Sequence, residues 1–487
     1  MVNPDPLAQA LAALGQAFTI AEERRSTRRR TWLDTFDWRL YNAGLMLERE
    51  QTRQGTRLIL TRLDGTAVAE AADPPGLAVH ELIGSLIAPR VLLPVAKATT
   101  VRRSFRLQNA DAKSVARLIF EDTPFRLDVT EVRGYGGSAR RARALLDQAF
   151  GPVAVGSVAA GPVAAGLLPA DTMRRPGDYS GKIDAPITRD MPAPKAVGTI
   201  ALRLLDTLEQ NVDGVLRDLD TEFLHDLRVA VRRTRSLIKL VGDVLPEADR
   251  ISAFGADFKW LGDMTTPVRD LDVHLLGFDD LADGLVAARP ADLEPFHDFL
   301  RRDRAREFRR LARVLRSQRF RAVTADWRKA MENVPAGQHG KTVPYGKTVA
   351  ALASKRTAKA IDKLIRHGGA ITIQSPPESL HDLRKRAKEL RYLLEFFAPV
   401  QDRGDLVSDL KKLQDCLGEF QDSEVQRMEL ARLAGALLAD SAVPREELVA
   451  TLLAMGEISA DLARRQHAAR EDFARRFSKF ARTAAAQ

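Results

Sequence analysis

The sequence predicts a two-part protein: an α+β N-terminal domain built on an antiparallel sheet, then an all-α domain over roughly the last 290 residues. Three observations carry this. Residues 1–150 show period-two alternation, residues 151–194 are rich in Gly and Pro, and residues 195–487 keep helical periodicity and contain an internal repeat.

In the first part, "GLMLERE" (44–50), "TRLILTR" (56–62) and "VRRSFRL" (101–107) alternate as strands, and Asp64-Gly65 supplies a turn after the second. "SARRARALLDQAF" reads as a helix, and "DAKSVARLIFED" as a helix or a helix then a strand. Residues 151–170 carry no charge. They contain "GPVA" twice and three prolines, with little Leu or Ile, so they read as a linker rather than a membrane span. Beyond 195, Gly and Pro fall between helices, apart from a loop expected at 334–346.

Charged residues are 29% and hydrophobic residues 45% of the 487, which suits a folded protein with a sizeable core. Lys plus Arg is 75 against 65 Asp plus Glu, a formal charge of +10, which favours an acidic partner. One cysteine, Cys416, excludes an intrachain disulfide framework and a Cys-based metal site. The N-terminus has Asp5 and no basic-then-apolar run, so no secretory signal is read and a cytoplasmic location is expected.

The repeat is the informative feature. "LHDLRVAVRRTRSLIKLV" starts at Leu224 and "LHDLRKRAKELRYLLEFF" at Leu380. "DFKWLGDMTTPVRDLDV" from Asp257 aligns without gaps to "DLKKLQDCLGEFQDSEV" from Asp409. Leu224, Leu227, Val231, Thr234, Ile238 and Val241 form an apolar heptad stripe, as do Leu380, Leu383, Ala387, Leu390, Leu394 and Phe397. One residue on lies a basic row: His225, Arg228, Arg232, Arg235 and Lys239 in one half, His381, Arg384, Lys388 and Arg391 in the other. This row lies beside the core stripe instead of opposite it.

Long side chains that cover a core edge with their heads in water are the structural alternative. That reading predicts mixed signs, because like charges at helical spacing repel. The row is basic in both halves until Glu395, so a ligand site is expected. A row rising about 10 Å per heptad suits a linear polyanion better than a single phosphate. Each histidine reads as a proton-switchable donor, a satisfied core residue or a first-turn backbone partner; no metal-type cluster surrounds it. Lys259 and Lys411, at equivalent repeat positions, Arg301 and Arg304, and Lys355 and Lys359 are further candidates.

These motifs resemble the CHAD family, the conserved-histidine α-helical domain, over about residues 195–480. The resemblance implies two pseudo-symmetric four-helix bundles, a basic central channel, inorganic polyphosphate binding and association with polyphosphate granules. His225 and His381 take the namesake positions. "TWLDTFDWRLYNAGLMLERE" from Thr31 and "LLPVAKATTVRRSF" from Leu92 resemble a CYTH domain, a relative of triphosphate tunnel enzymes. Active members open with an E-x-E-x-K strand that helps hold divalent metal. Here "AEERRSTRRR" stands in its place, with Glu121, Asp122, Asp128 and Glu131 as thin later candidates. A catalytically degenerate domain without cofactor or metal is expected, serving dimerisation (a homodimer), docking or a second phosphate surface. A triphosphatase working through the N-terminal domain and a nucleic-acid-binding protein are the competing functions; the row lacks interleaved aromatics for base stacking.

Overall fold

The computed structural model describes residues 5–72, 77–123, 125–150, 171–334, 348–401, 403–440 and 444–486. It divides into two units, Met1–Gly181 and Lys182–Gln487. The uncharged stretch 151–170 and nearly all of the loop expected at 334–346 lie outside the described residues. The described part of the expected 151–194 linker, residues 171–194, packs within the two units. A short strand, β8 (Asp171–Thr172), pairs with the sheet, and Asp178 accepts a hydrogen bond from the Trp38 indole at 2.8 Å. Residues 182–192 belong to the second unit, where Val349 N–H donates to the Met191 carbonyl.

The first unit runs α1 (Pro6–Gly15), β1 (Thr19–Asp34), α2 (Arg39–Asn42), β2 (Leu45–Thr52), β3 (Gly55–Arg62), β4 (Ala67–Ala72), α3 (Leu77–Ile87), β5 (Leu93–Gln108), β6 (Ser114–Asp122), β7 (Phe125–Glu131) and α4 (Gly136–Phe150). All pairings are antiparallel, in the order β4-β3-β2-β1-β5-β6-β7, with β8 on β5. The turn at Asp64-Gly65 joins β3 to β4, with Gly65 at φ 89°. "DAKSVARLIFED" forms no helix; it supplies β6.

One sheet face is apolar. Phe105, Leu107, Leu118 and Val129 pack under α1 and α4, and Leu33, Leu47, Leu58 and Leu60 pack with Val79, Ile83 and Ile87 of α3. The other face is polar: the pairings Arg30 with Glu50, Ser26 with Arg102, and Arg102 with Glu121 place these residues on one side. Arg126 of β7 reaches Glu48 of β2 at 3.3 Å. Four strand spacings in a flat sheet would separate those strands by about 19 Å, so the sheet curls around its polar face. This curled antiparallel sheet is consistent with a CYTH-like fold.

The second unit is helical: α5 (Ala193–Leu216), α6 (Thr221–Val241), α7 (Ala248–Leu276), α8 (Phe278–Asp283), α9 (Glu294–Leu315), α10 (Gln318–Glu332), α11 (Val349–Gly369), α12 (Pro377–Phe396), α13 (Gly404–Leu438) and α14 (Arg445–Ala485). No described helix is long and apolar enough to cross a membrane. In the second half, α11–α14 enclose one core, built on Leu364, Leu383, Leu390, Leu413, Phe473 and Phe480. The first half packs α5, α6, α7, α9 and α10, with Trp327 of α10 edge-on to Phe254 and Phe258 of α7.

A further core joins the halves. α13 and α14 are about 50 and 60 Å long, so each reaches two cores. Leu430, Leu433, Leu448 and Met455 pack with Leu271, Phe278, Phe296 and Leu300, beyond the four-helix core. Close approach is specified locally: a Cβ on Gly214 of α5 would sit 2.1 Å from the Phe223 ring of α6.

Candidate basic site on the paired helices

Helices α6 and α12 carry the site because their sequences fix both start and phase. Asp220 caps α6 by accepting from the N–H groups of Glu222 and Phe223, and Pro377 opens α12. Leu224, Leu227, Val231 and Thr234 are buried on α6; Leu380, Leu383, Ala387 and Leu390 are buried on α12. Burying these stripes leaves the adjacent basic rows at the core margin. The two helices meet directly. Arg233 pairs with Glu395 at 2.9 Å and Lys239 with Glu389 at 2.6 Å, so rising numbers on one helix face falling numbers on the other.

Arg228 is half-buried on α6. Its Nη1 donates to the hydroxyls of Thr265 and Thr266, both at 2.9 Å, and to the Gly262 carbonyl at 3.2 Å. Pro267 within α7 lacks an N–H for the preceding turn, and that turn presents these neutral acceptors. Burial pushes Arg228 below the usual guanidinium range. Asp270 opposes this, and Arg232 and Arg269 add to it.

Its repeat counterpart Arg384 donates to Asp422 at 2.8 Å, a carboxylate 62% exposed. His381 Nδ1 contacts the Gln421 side-chain oxygen. His225 is half-buried at the equivalent point of α6.

Lys388 stands at the junction. Burial first, then the charges of Arg384 and Arg232, bring its ammonium down to about 8 from 10.5; Asp422 opposes the shift and Arg391 adds to it. Arg232 belongs to α6, and Arg384 and Arg391 to α12, so the two basic rows act on one another across the helix pair. Among the described residues, Arg232, Arg235 and Lys388 make no ion pair or hydrogen bond, and the first two are exposed. Arg391 is bound more loosely, with Nε 3.1 Å from Glu395 and its guanidinium over the Tyr392 ring.

The remaining candidates are dispersed. Lys239 is held by Glu389, and Lys259 by Asp263 at 2.6 Å. Arg301, Lys355 and Lys411 are exposed, outside these contacts. Lys359 lines a cavity of about 170 Å³ with Lys239, Arg356, Lys363 and Arg386. Arg304 departs most from its expected role. Asp218 accepts two of its hydrogen bonds, at 2.7 and 2.8 Å, and Asp272 accepts a third at 2.5 Å. Hydrogen bonds from Arg304 to Asp218, opposed by burial, hold the guanidinium above its ordinary range, so its charge is already matched. Sequence reasoning missed Thr265, Thr266 and Arg269. The "TTP" run, two hydroxyls before a mid-helix proline, was the available signal.

The CHAD domain model matches residues 199–431. An uncharacterized protein of Mycobacterium tuberculosis, Rv2226, is 30% identical over 285 residues, covering 56% of this chain and 51% of the relative; its counterpart in a second strain gives the same figures. The chain thus spans about half the length of the curated relatives it matches. Among solved structures, the CHAD domain from the plant Ricinus communis aligns at 22% identity and TM-score 0.44, covering 57% of this chain and 97% of that one. PptA from Streptomyces chartreusis aligns at 17% and 0.46, covering 59% and 99%. With a duplicated histidine-basic motif on paired helices inside the matched span, residues 199–431 form a CHAD domain.

Proposed function

We propose that the helical unit binds inorganic polyphosphate in a basic channel bordered by α6 and α12, without turnover, and that the protein associates with polyphosphate granules. The observation that carries this reading is Lys388, an ammonium held among Arg232, Arg384 and Arg391 without a hydrogen-bonded carboxylate of its own. Around it, Arg228 is satisfied by neutral hydroxyls and Arg384 by an exposed carboxylate that can swing away. A row of anions would neutralise this arrangement. Phosphates spaced along a flexible chain match guanidinium groups one helical turn apart.

The test is calorimetric titration with polyphosphate of defined lengths, with duplex DNA and sulfate as controls, at physiological salt. Arg228→Glu combined with Arg384→Glu should weaken polyphosphate at least tenfold and flatten its salt dependence, with helix content retained by circular dichroism. Unchanged affinity would make the row structural. Tighter binding of DNA than of polyphosphate would move the reading to nucleic acid.

A further inference from the structure

The interior of the curled N-terminal sheet holds a buried acidic cluster with a cation already inside it. Glu48 and Glu50 of β2 and Glu121 of β6 are each at most 5% exposed, and they converge on the buried Arg30 of β1. Arg30 Nε lies 3.0 Å from Glu48, and its Nη2 lies 3.0 Å from Glu50 and 2.8 Å from Glu121. Sequence reasoning found no clustered carboxylates here; the strand register brings them together. The CYTH resemblance implies a divalent cation beside such glutamates, and this cluster does not fit one.

Geometry is the first obstacle. Guanidinium nitrogens stand 2.8–3.0 Å from the three carboxylates, where an ion would need their oxygens at about 2.0–2.6 Å. With Arg30 in place, no group of His, Cys, Asp or Glu among the described residues is arranged to hold a metal. Charge is the second. Arg28 and Arg57 bond Glu50 at 2.6 and 2.7 Å, Arg126 lies 3.3 Å from Glu48, and Arg102 lies 3.9 Å from Glu121. Arg28, Arg30, Arg57, Arg102 and Arg126 thus outnumber the three glutamates, even when the exposed Glu70 that shares Arg57 is added. A further double positive charge would be repelled. The third obstacle is the strand itself. Where active members of that family open with glutamates, the β1 positions that reach the cluster, two residues apart on one sheet face, are Arg28 and Arg30. Burial would lower the pKa of Arg30, but the fields of Glu48, Glu121 and Glu50 outweigh it and raise the value, so the group stays charged. Access is not the obstacle, because Arg28 and Arg102 also line a cavity of about 950 Å³ beside the cluster.

We infer that Arg30 is a built-in replacement for a divalent cation: the N-terminal unit folds around a permanent internal positive charge and neither needs nor binds a metal ion at this cluster. Three carboxylates buried together repel one another and lose their hydration, so the fold requires a cation among them. A guanidinium on β1 meets that requirement with a group that cannot dissociate or be deprotonated. Metal-assisted chemistry at Glu48, Glu50 and Glu121 is thereby ruled out by an occupied position. The cluster lies within the N-terminal unit, so the inference stands or falls independently of the channel on α6 and α12.

The experiment titrates Mn²⁺ alone into the full-length chain, stripped with EDTA and free of phosphate, and reads binding by electron paramagnetic resonance and stability by scanning calorimetry. Wild type should give no saturable Mn²⁺ binding, and its melting should be the same in EDTA and in Mn²⁺. Arg30→Ala leaves the three carboxylates around a gap and should gain one Mn²⁺ site. Mn²⁺ at about 100 times its Kd should then raise the melting temperature of that variant by about 5–10 °C. Adding Glu121→Gln to it should weaken Mn²⁺ at least tenfold. Arg30→Lys keeps a positive charge within reach of the carboxylates and should stay blind to Mn²⁺. If Arg30→Ala is unfolded in EDTA, Mn²⁺ should restore its fold. The inference is overturned by saturable Mn²⁺ binding to wild type that Glu121→Gln removes, a measurement that does not depend on the Arg30 variants folding. It is also overturned by an Arg30→Ala protein that takes up no Mn²⁺.

Discussion

Replacing Lys388 with Met keeps the length and apolar stem of the side chain and removes its charge. In the free protein that charge is unfavourable. Its pKa falls from 10.5 to about 8 through burial and the neighbouring arginines, a shift equivalent to about 3 kcal/mol. Discounting for partial exposure leaves about 2–3 kcal/mol. The sign follows from proton counting. Below pH 8 the lysine is charged in both states and the full cost applies. Between pH 8 and 10.5 the native lysine is neutral while the unfolded one still binds its proton, so wild-type stability rises with pH. Lys388→Met should therefore raise the melting temperature of the helical transition by about 3–5 °C at pH 7, for a unit of this size. The gain should fade above pH 8. Binding should move the other way. A polyanion favours the charged lysine, so wild-type affinity should fall about tenfold between pH 7 and pH 9 as the free lysine loses its proton. The variant should bind several-fold more weakly at pH 7 and vary less than about twofold over that range. Scanning calorimetry and titration calorimetry at both pH values test this. A variant less stable than wild type at pH 7, or one with the same pH dependence of binding, would refute the reasoning.

Three further outcomes follow from the ion pairs and packing of both units. Arg304→Ala should cost about 3 kcal/mol in chemical denaturation, because Asp272, 1% exposed, is left without its partner; polyphosphate affinity should change less than twofold. Glu50→Gln should destabilise the N-terminal unit by about 3–5 kcal/mol in the same assay, since Arg28, Arg30 and Arg57 all bond this buried carboxylate. Burial alone would raise the Glu50 pKa, but hydrogen bonds from Arg28 and Arg57 outweigh it and hold the value at about 2 from 4.5. Its contribution is thus fully present above pH 4.5 and is lost as pH falls toward 2, which acid unfolding of wild type and variant would show. Gly214→Ala should destabilise the helical unit by about 1–3 kcal/mol, because the added Cβ meets the Phe223 ring and the loss of fit exceeds the usual helical gain of alanine.

The helical unit was legible because its signal is periodic and duplicated. Leu224 to Val241 and Leu380 to Phe397 each mark a face, and the residues one step further must then lie at the core margin. β1 was hidden for the opposite reason. "AEERRSTRRR" faces a polar interior on one side and solvent on much of the other, so the apolar alternation that signals a strand is absent. Glu48, Glu50 and Glu121 carry no spacing that betrays their meeting. They gather because register sets Arg30 opposite Glu50 and because the sheet curls. Arg304 shares its helical phase with Phe308 and Leu311, which made it a further candidate for added charge from a neighbouring helix. Its partners Asp218 and Asp272 lie outside its own helix, and sequence spacing does not report them.

What separates an available cation from a committed one is the exposure of its partner. Arg384 and Arg304 both hydrogen-bond carboxylates at similar distances. Asp422 is 62% exposed, so water can take over its solvation when it leaves Arg384, and a pair of this kind contributes about 1 kcal/mol or less. Asp272 is 1% exposed, and freeing Arg304 would strand its charge in the interior at several times that cost. On the proposed reading, a phosphate oxygen would displace Asp422 and not Asp272. The same criterion leaves Arg228 available, because its acceptors are neutral and can share a guanidinium that has other N–H groups to give. It leaves Lys388 available too, together with Arg232 and Arg235, because no partner would have to be released before a phosphate reached them. The proposed binding surface is thus defined less by where the positive residues are than by which of them the fold has left electrically unmatched.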